Sequence, residues 1–393
     1  MCKELKITRS EHLQADRLMA IAKARSQLQD FGPEHFIEPL EVLLKAMREE
    51  AQLSPAGLSA QSERLINALI SRLRKTAFIN QHPEVLDEEV NIGAVIVGLP
   101  RTGSTMLHRL LAASPNLTAT YWWETIYPMP LPDEPLGDPS GRIQLAEQLV
   151  QQIMGAAENF DAIHPLKATA YDEELTLIEQ SFISNMPESM MYVPSYGKWL
   201  LEADQCLAYG ELIDYLKILQ WQSPERRQQR WVLKSPHHLT ATQTLLEMFP
   251  EALIINTHRS ITEVMPSWYS MVGSLTEADS GAAGLRQAQA KHWTWRLNQC
   301  LKDFMAVREG KQERFLDIDY RSLLSEPQVA CEQIFTKAGW PLTLEDKGAF
   351  AAHLSQNQRG KRPAHRYQLA DYGIDKNELQ QTFSYYQTSF SLG

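Results

Sequence analysis

The chain has 393 residues, 44% of them hydrophobic and 22% charged, enough for one large buried core or a core with an appended module. With 38 Lys and Arg against 48 Asp and Glu, its net charge is −10. No basic run is interleaved with aromatic residues, so nucleic acid is excluded as an expected partner, and an anionic ligand must meet a local cluster of cations.

The opening residues, MCKELKITRSEH, lack the apolar centre of a secretory signal. No stretch reaches the roughly 18 apolar residues of a transmembrane helix. Cys2, Cys206, Cys300 and Cys331 have no metal-type spacing. Free thiols in a cytoplasmic protein, with no metal site, are the expectation.

Residues 9–80 read as helices. "SEHLQADRLMAIAKARSQL" sets Leu13, Leu18, Ile21, Ala22 and Leu28 near helical spacing, with Ser10 as the expected cap. "FIEPLEVLLKAMREE" and "SAQSERLINALISRLRKTAF" continue the pattern, and a breaker-rich link, "NQHPEVLDEEVNIG", follows. This predicts a helical N-terminal region over 1–90 ahead of a second unit over 91–393. From residue 94 short apolar runs, "AVIVGL", "RWVLKS", "ALIINTHR" and "RFLDIDY", alternate with helical stretches. That alternation predicts an α/β fold with a parallel sheet flanked by helices. A helical stretch rich in Trp, Tyr and Met, about 125–228, reads as an insertion. Ligands of such sheets bind at the carboxyl ends of strands, so the loops after residues 99, 235 and 259 should share one crevice.

"VIVGLPRTGSTMLHRLL", residues 95–111, has the frame of a P-loop-like phosphate site. Gly98 and Gly103 allow backbone N–H groups to turn on an anion, and a helix starting near Ser104 aims its positive end there. Ser104 and Thr105 add hydroxyls, and Arg101 adds a charged fork suited to phosphate or sulfate. A triphosphatase loop would put lysine where Ser104 stands, so a magnesium-bound triphosphate fits poorly.

"THRSITEVMPSW" supplies a second anion site, with Arg259 at a strand end. Ser260 and Glu263 have capping-box spacing, and Pro266 is expected to kink the helix and swing Ser267 toward the crevice. "RWVLKSPHHL" supplies candidate chemistry. Lys234 can stabilise charge on a leaving oxygen, and a neutral histidine, His237 or His238, can take the acceptor's proton.

Together these segments resemble the sulfotransferases that use 3′-phosphoadenosine 5′-phosphosulfate (PAPS), especially bacterial members with a helical N-terminal region. The likeness runs from "DFGPEHFIEPLEVLLKAM" through "VGLPRTGST", "LKSPHHL" and "THRS" to "RGKRPAHRYQLADYGI". It implies that Arg101, Thr102, Gly103, Ser104 and Thr105 grip the 5′-phosphosulfate. Arg259 and Ser267 would grip the 3′-phosphate, with Arg359, Gly360 and Lys361 closing over it. Met106 stands where many members stack a tryptophan on adenine. The implied base is His238 by the bacterial "LKSPxH" pattern, His237 by the eukaryotic-type spacing, or Glu124 in "YWWETIYPMP", which matches a family glutamate. Tyr171, Trp122, Trp123, Met190, Met191 and Trp199 are candidate lining for a small-molecule or lipid-like acceptor. The expected reaction is sulfuryl transfer to a hydroxyl or amine, releasing adenosine 3′,5′-bisphosphate. The alternatives are a P-loop kinase or nucleotide hydrolase, or a nucleotide-binding protein without catalysis.

Overall fold

Five parallel strands form the central sheet of the computed structural model, in the order β2-β3-β1-β4-β5. The structure describes residues 6–135, 137–156, 166–280, 284–357 and 368–392. The strands are β1 (Ile92–Gly98), β2 (Leu117–Thr118), β3 (Arg230–Lys234), β4 (Leu253–His258) and β5 (Phe315–Asp319). Four of them lie where the apolar runs predict. The fifth, β2, is only two residues long and pairs with the start of β3.

Every residue of β1 and β4 is buried, as befits strands covered on both faces. Alternate residues of β1 feed two cores. Val95 and Val97 join one cluster with Leu233 and Ile254. Ala94 and Ile96 join the other with Val232, Ile255 and Leu107.

The first cluster also holds Leu18, Leu40, Leu65 and Leu69 of the N-terminal helices Ala15–Ser26, Ile37–Glu49 and Pro55–Gln81. Ser10 does not cap the first of these. It opens a short 3₁₀ turn, Ser10–His12, and the helix begins at Ala15. The long helix has Ser54 as its cap, accepting from the Gly57 N–H, and Pro55 in its first turn. Ser54 Oγ also donates to the Asp279 carbonyl at 2.8 Å. A Cβ on Gly57 would lie 2.0 Å from that same oxygen, so only glycine permits the approach. Arg72 and Lys75 turn inward to Glu211 of the helix Gln205–Gln222.

Between β2 and β3 the chain passes through helices from Trp122 to Gln222. It then inserts β3 beside β1 and crosses to β4 on the other side. This reversal of direction opens a crevice over the carboxyl end of β1. Among the described residues no helix is long and apolar enough to cross a membrane.

Candidate active site

The loop after β1 is built on left-handed backbone. Gly98, Arg101 and Gly103 have φ of 125°, 68° and 85°. A Cβ on Gly98 would sit 2.8 Å from the Thr257 carbonyl of β4, so the glycine lets the loop leave close to its neighbour. Arg101 carries a side chain in a conformation that costs about 1–2 kcal/mol, a sign that the loop is shaped for its contents. Helix Ser104–Leu111 starts directly behind it, with its positive N-terminal end toward the loop, an arrangement suited to an anion.

The loop's side chains divide the work. Thr102 is buried; its hydroxyl donates to the Leu99 carbonyl at 2.8 Å and lies 2.6 Å from Thr257 Oγ1. It clamps the loop to β4 and offers a ligand nothing beyond its backbone. Ser104 and Thr105 occupy the first helical turn, followed by Met106. Arg101 Nε donates to Ser267 Oγ at 3.1 Å. Arg259 Nη1 donates to the Arg101 carbonyl at 3.1 Å, and its guanidinium stacks 4.3 Å from the Tyr320 ring. Tyr320 also packs against Gly103. Two arginines and Ser267, distant in sequence, therefore meet on one edge. The helix carrying Ser267 starts at Ile261 as expected and contains Pro266. Ser260 Oγ meets Thr262 Oγ1 at 3.0 Å, while Glu263 turns to Arg259. Arg359, Gly360 and Lys361 lie outside the described residues.

Lys234, the last residue of β3, places Nζ 3.4 Å from Thr105 Oγ1 and 3.5 Å from Glu173 Oε1. The other oxygen of Glu173 is buried and makes no hydrogen bond among the described residues. Its side chain keeps 20% of its surface exposed. Nothing in "YDEEL" announces this carboxylate; it has no motif spacing, and only the folding of the insertion brings it beside Lys234.

The three sequence-predicted bases are placed differently. His237 is fully buried; Nδ1 accepts from the Asn185 N–H at 3.3 Å and Nε2 meets Gln205 Oε1 at 3.1 Å. Burial, helped by the charge of neighbouring His238, pushes its ring down to about 3. His238 is equally buried, with Nδ1 2.5 Å from the Tyr209 hydroxyl and Nε2 2.5 Å from Glu174 Oε1. Both histidines therefore turn into the core from the 3₁₀ turn Pro236–Leu239, and neither presents a lone pair to the crevice. Glu124 is held at the far end of β3. Oε2 accepts the Tyr121 N–H at 2.8 Å, and Oε1 pairs with Arg226 at 2.9 Å, four residues before that strand begins. This is a buried ion pair closing a helix start.

The proposed acceptor lining does not converge either. Trp122 and Trp123 form a small cluster with Ala146 and Ala168, and Met191 lies in the main core. Met190 and Trp199 pack against that core, and Tyr171 stacks on Tyr121 at 4.4 Å. A cleft of about 570 Å³ lined by Phe78, His82, Trp123, Glu124 and Trp221 includes none of the glycine-loop residues. No trio of His, Cys, Asp or Glu suited to a metal ion occurs among the described residues.

A parallel sheet flanked by helices, whose first strand runs into such a loop beside an arginine just after the neighbouring strand β4, defines an α/β protein with its crevice at the carboxyl ends of the strands. The chain belongs to the sulfotransferase family, whose model matches residues 94–345. It is similar to sulfotransferase STF1 of Mycobacterium tuberculosis H37Rv, with 29% identity and a TM-score of 0.84 over 96% of this chain and all of that one. It is likewise similar to sulfotransferase STF9 of Mycobacterium avium, with 25% identity and a TM-score of 0.86 over 97% of each chain. A search of curated protein sequences finds no match.

Proposed function

We propose that this sulfotransferase takes its sulfuryl group from PAPS and passes it to a hydroxyl or amine of a small-molecule or lipid-like acceptor. The observation that carries this reading is the meeting of Arg101, Ser267 and Arg259 on one edge. On this reading two anion sites lie side by side, the loop taking the 5′ end and Arg259 a 3′-phosphate. With no γ-phosphate to hold, serine at position 104 is no loss.

In the proposed step Glu173 accepts the proton of the acceptor as its oxygen or nitrogen bonds to sulfur. The sulfur–oxygen bond to the 5′-phosphate breaks, and its electron pair stays on the phosphate of the departing adenosine 3′,5′-bisphosphate. Lys234, beside Thr105, neutralises that developing charge, with Arg101 assisting. Glu173 is favoured as base because its carboxylate reaches Lys234 and its side chain keeps a fifth of its surface exposed, whereas His237, His238 and Glu124 are almost wholly buried. The protein contributes positioning and charge, as in phosphoryl transfer. A cytoplasmic setting fits the unpaired Cys206, Cys300 and Cys331.

The test is a screen of alcohols, phenols and amines with labelled PAPS, read as product mass increase with and without chelator. Chelator-insensitive transfer supports the reading. Turnover of magnesium–ATP without transfer from PAPS overturns it.

A further inference from the structure

His238 carries the motif, yet its surroundings are wrong for a base. A general base needs an open lone pair within hydrogen-bond reach of the proton it takes. The His238 ring has no exposed surface; Nδ1 lies against the Tyr209 hydroxyl and Nε2 faces the Glu174 carboxylate, so neither opens to the crevice.

Its partners lead back to the site. Glu174, also buried, meets His238 through Oε1, while Oε2 accepts the backbone N–H of Lys234 at 3.2 Å. Burial by itself would raise the Glu174 carboxyl. The charge and contact of His238, with His108 nearby, outweigh that and hold it at about 2. Glu174 is thus a buried anion whose compensation is His238. Its neighbour in the chain is Glu173, which reaches Lys234 Nζ. On the other side, Tyr209 ties the ring to the helix Gln205–Gln222.

We infer that Tyr209, His238 and Glu174 form a positioning relay that fixes the Lys234 backbone and the Glu173 carboxylate against the glycine loop, and that His238 takes no proton from the acceptor. The relay joins four elements: the end of β3, the 3₁₀ turn Pro236–Leu239, the start of the helix Leu175–Ile178, and the helix Gln205–Gln222. Removing the imidazole leaves the Glu174 anion buried without compensation. It must then protonate or turn away, and in both cases its hold on Lys234 weakens. The relay's geometry stands by itself, while its effect on turnover rests on the sulfotransfer reading above.

The experiment compares the full-length protein with His238→Ala, His238→Gln and Tyr209→Phe. Three measurements are made: amide hydrogen exchange at Lys234, affinity for adenosine 3′,5′-bisphosphate, and kcat with an acceptor taken from the PAPS screen. Glutamine cannot act as a base, but its amide can still donate to Glu174 and accept from Tyr209. His238→Ala should speed exchange at Lys234 and lower kcat, each by at least about tenfold, with bisphosphate affinity within about threefold. Tyr209→Phe should act in the same direction more weakly, and His238→Gln should recover most of both losses. If His238→Gln protects Lys234 like the parent yet stays as inactive as His238→Ala, the histidine is the base and the inference is overturned. It is also overturned if His238→Ala leaves Lys234 exchange unchanged. If the unmodified protein transfers nothing from PAPS, the proposed function has failed, and the exchange measurement still decides the relay.

Discussion

Replacing Arg259 with alanine tests the 3′-phosphate assignment. The guanidinium is three-quarters buried, with 24% of the side chain exposed, and rests on Tyr320 while donating to the loop carbonyl of Arg101. A charge-assisted contact from this position to a phosphate dianion falls at the lower end of the roughly 2–5 kcal/mol range for truncating a desolvated charge pair. Its remaining exposure and the competing Glu263 carboxylate, 3.4 Å away, favour about 2–3 kcal/mol. At about 1.4 kcal/mol per decade, this predicts a loss of roughly 30- to 150-fold in affinity for adenosine 3′,5′-bisphosphate. AMP lacks the 3′-phosphate and should bind both proteins alike. Titration calorimetry with the two nucleotides, on Arg259→Ala and the parent, separates the terms. If both affinities fall equally, Arg259 serves to hold the Arg101 carbonyl. If neither falls, it is a surface residue. Either result refutes the second anion site.

Four further outcomes are expected. Glu173→Gln should keep bisphosphate affinity and lower kcat at least about a hundredfold in a transfer assay with an aliphatic alcohol. Arg226→Met leaves Glu124 buried without its charge partner, which should cost about 3–5 kcal/mol in urea unfolding while kcat per folded molecule is unchanged. Gly103→Ala must adopt φ 85° with its Cβ 3.0 Å from the Tyr320 ring, so bisphosphate binding measured by calorimetry should collapse. Stability should fall in acid: burial, with the charge of Lys234 for His108 and of His238 for His237, lowers these rings from 6.5 to about 4 and about 3. The unfolded chain takes up protons below pH 6.5 that the folded rings refuse, so urea stability should drop as pH falls from 6.5 toward 4. The slope should be roughly 1.4 kcal/mol per unit for each ring, and mutating both to glutamine should flatten it.

What the sequence discloses here is local. Strands β1, β3 and β4 are legible because strands of a parallel sheet buried on both faces are near-continuous apolar runs, and the edge strand β5 because Phe315, Leu316 and Ile318 stand out between its exposed aspartates. The loop is legible because its glycines are demanded by backbone geometry, and Arg259 because a charge ends a strand. "NLTAT" has no such run, so β2 passes unnoticed; its pairing is set by the chain's path. The double histidine is misleading for a physical reason. Pro236 starts a 3₁₀ turn whose tight pitch tucks both rings under the strand ends, which one-dimensional spacing does not reveal. Glu173 is the converse, an ordinary acidic residue that acquires meaning from the lysine folded against it. Glu124 has its meaning assigned by Arg226, in the turn ahead of β3 and about a hundred residues further along.

The fastening of the N-terminal helices has a consequence for how the protein is made. Their long helix is capped against Asp279, 225 residues downstream, and its buried Lys75 waits for Glu211, 136 residues away. At the usual 5–20 residues per second, the ribosome needs about 10–45 s to deliver Asp279 after Ser54 has been synthesised. Until the helix Gln205–Gln222 and the strands β3 and β4 have also been made, Leu40, Leu65 and Leu69 lack partners that complete their core. The N-terminal helices are therefore expected to stay incompletely covered for much of synthesis, and slowing translation before residue 279 should prolong their exposure to chaperones and proteases.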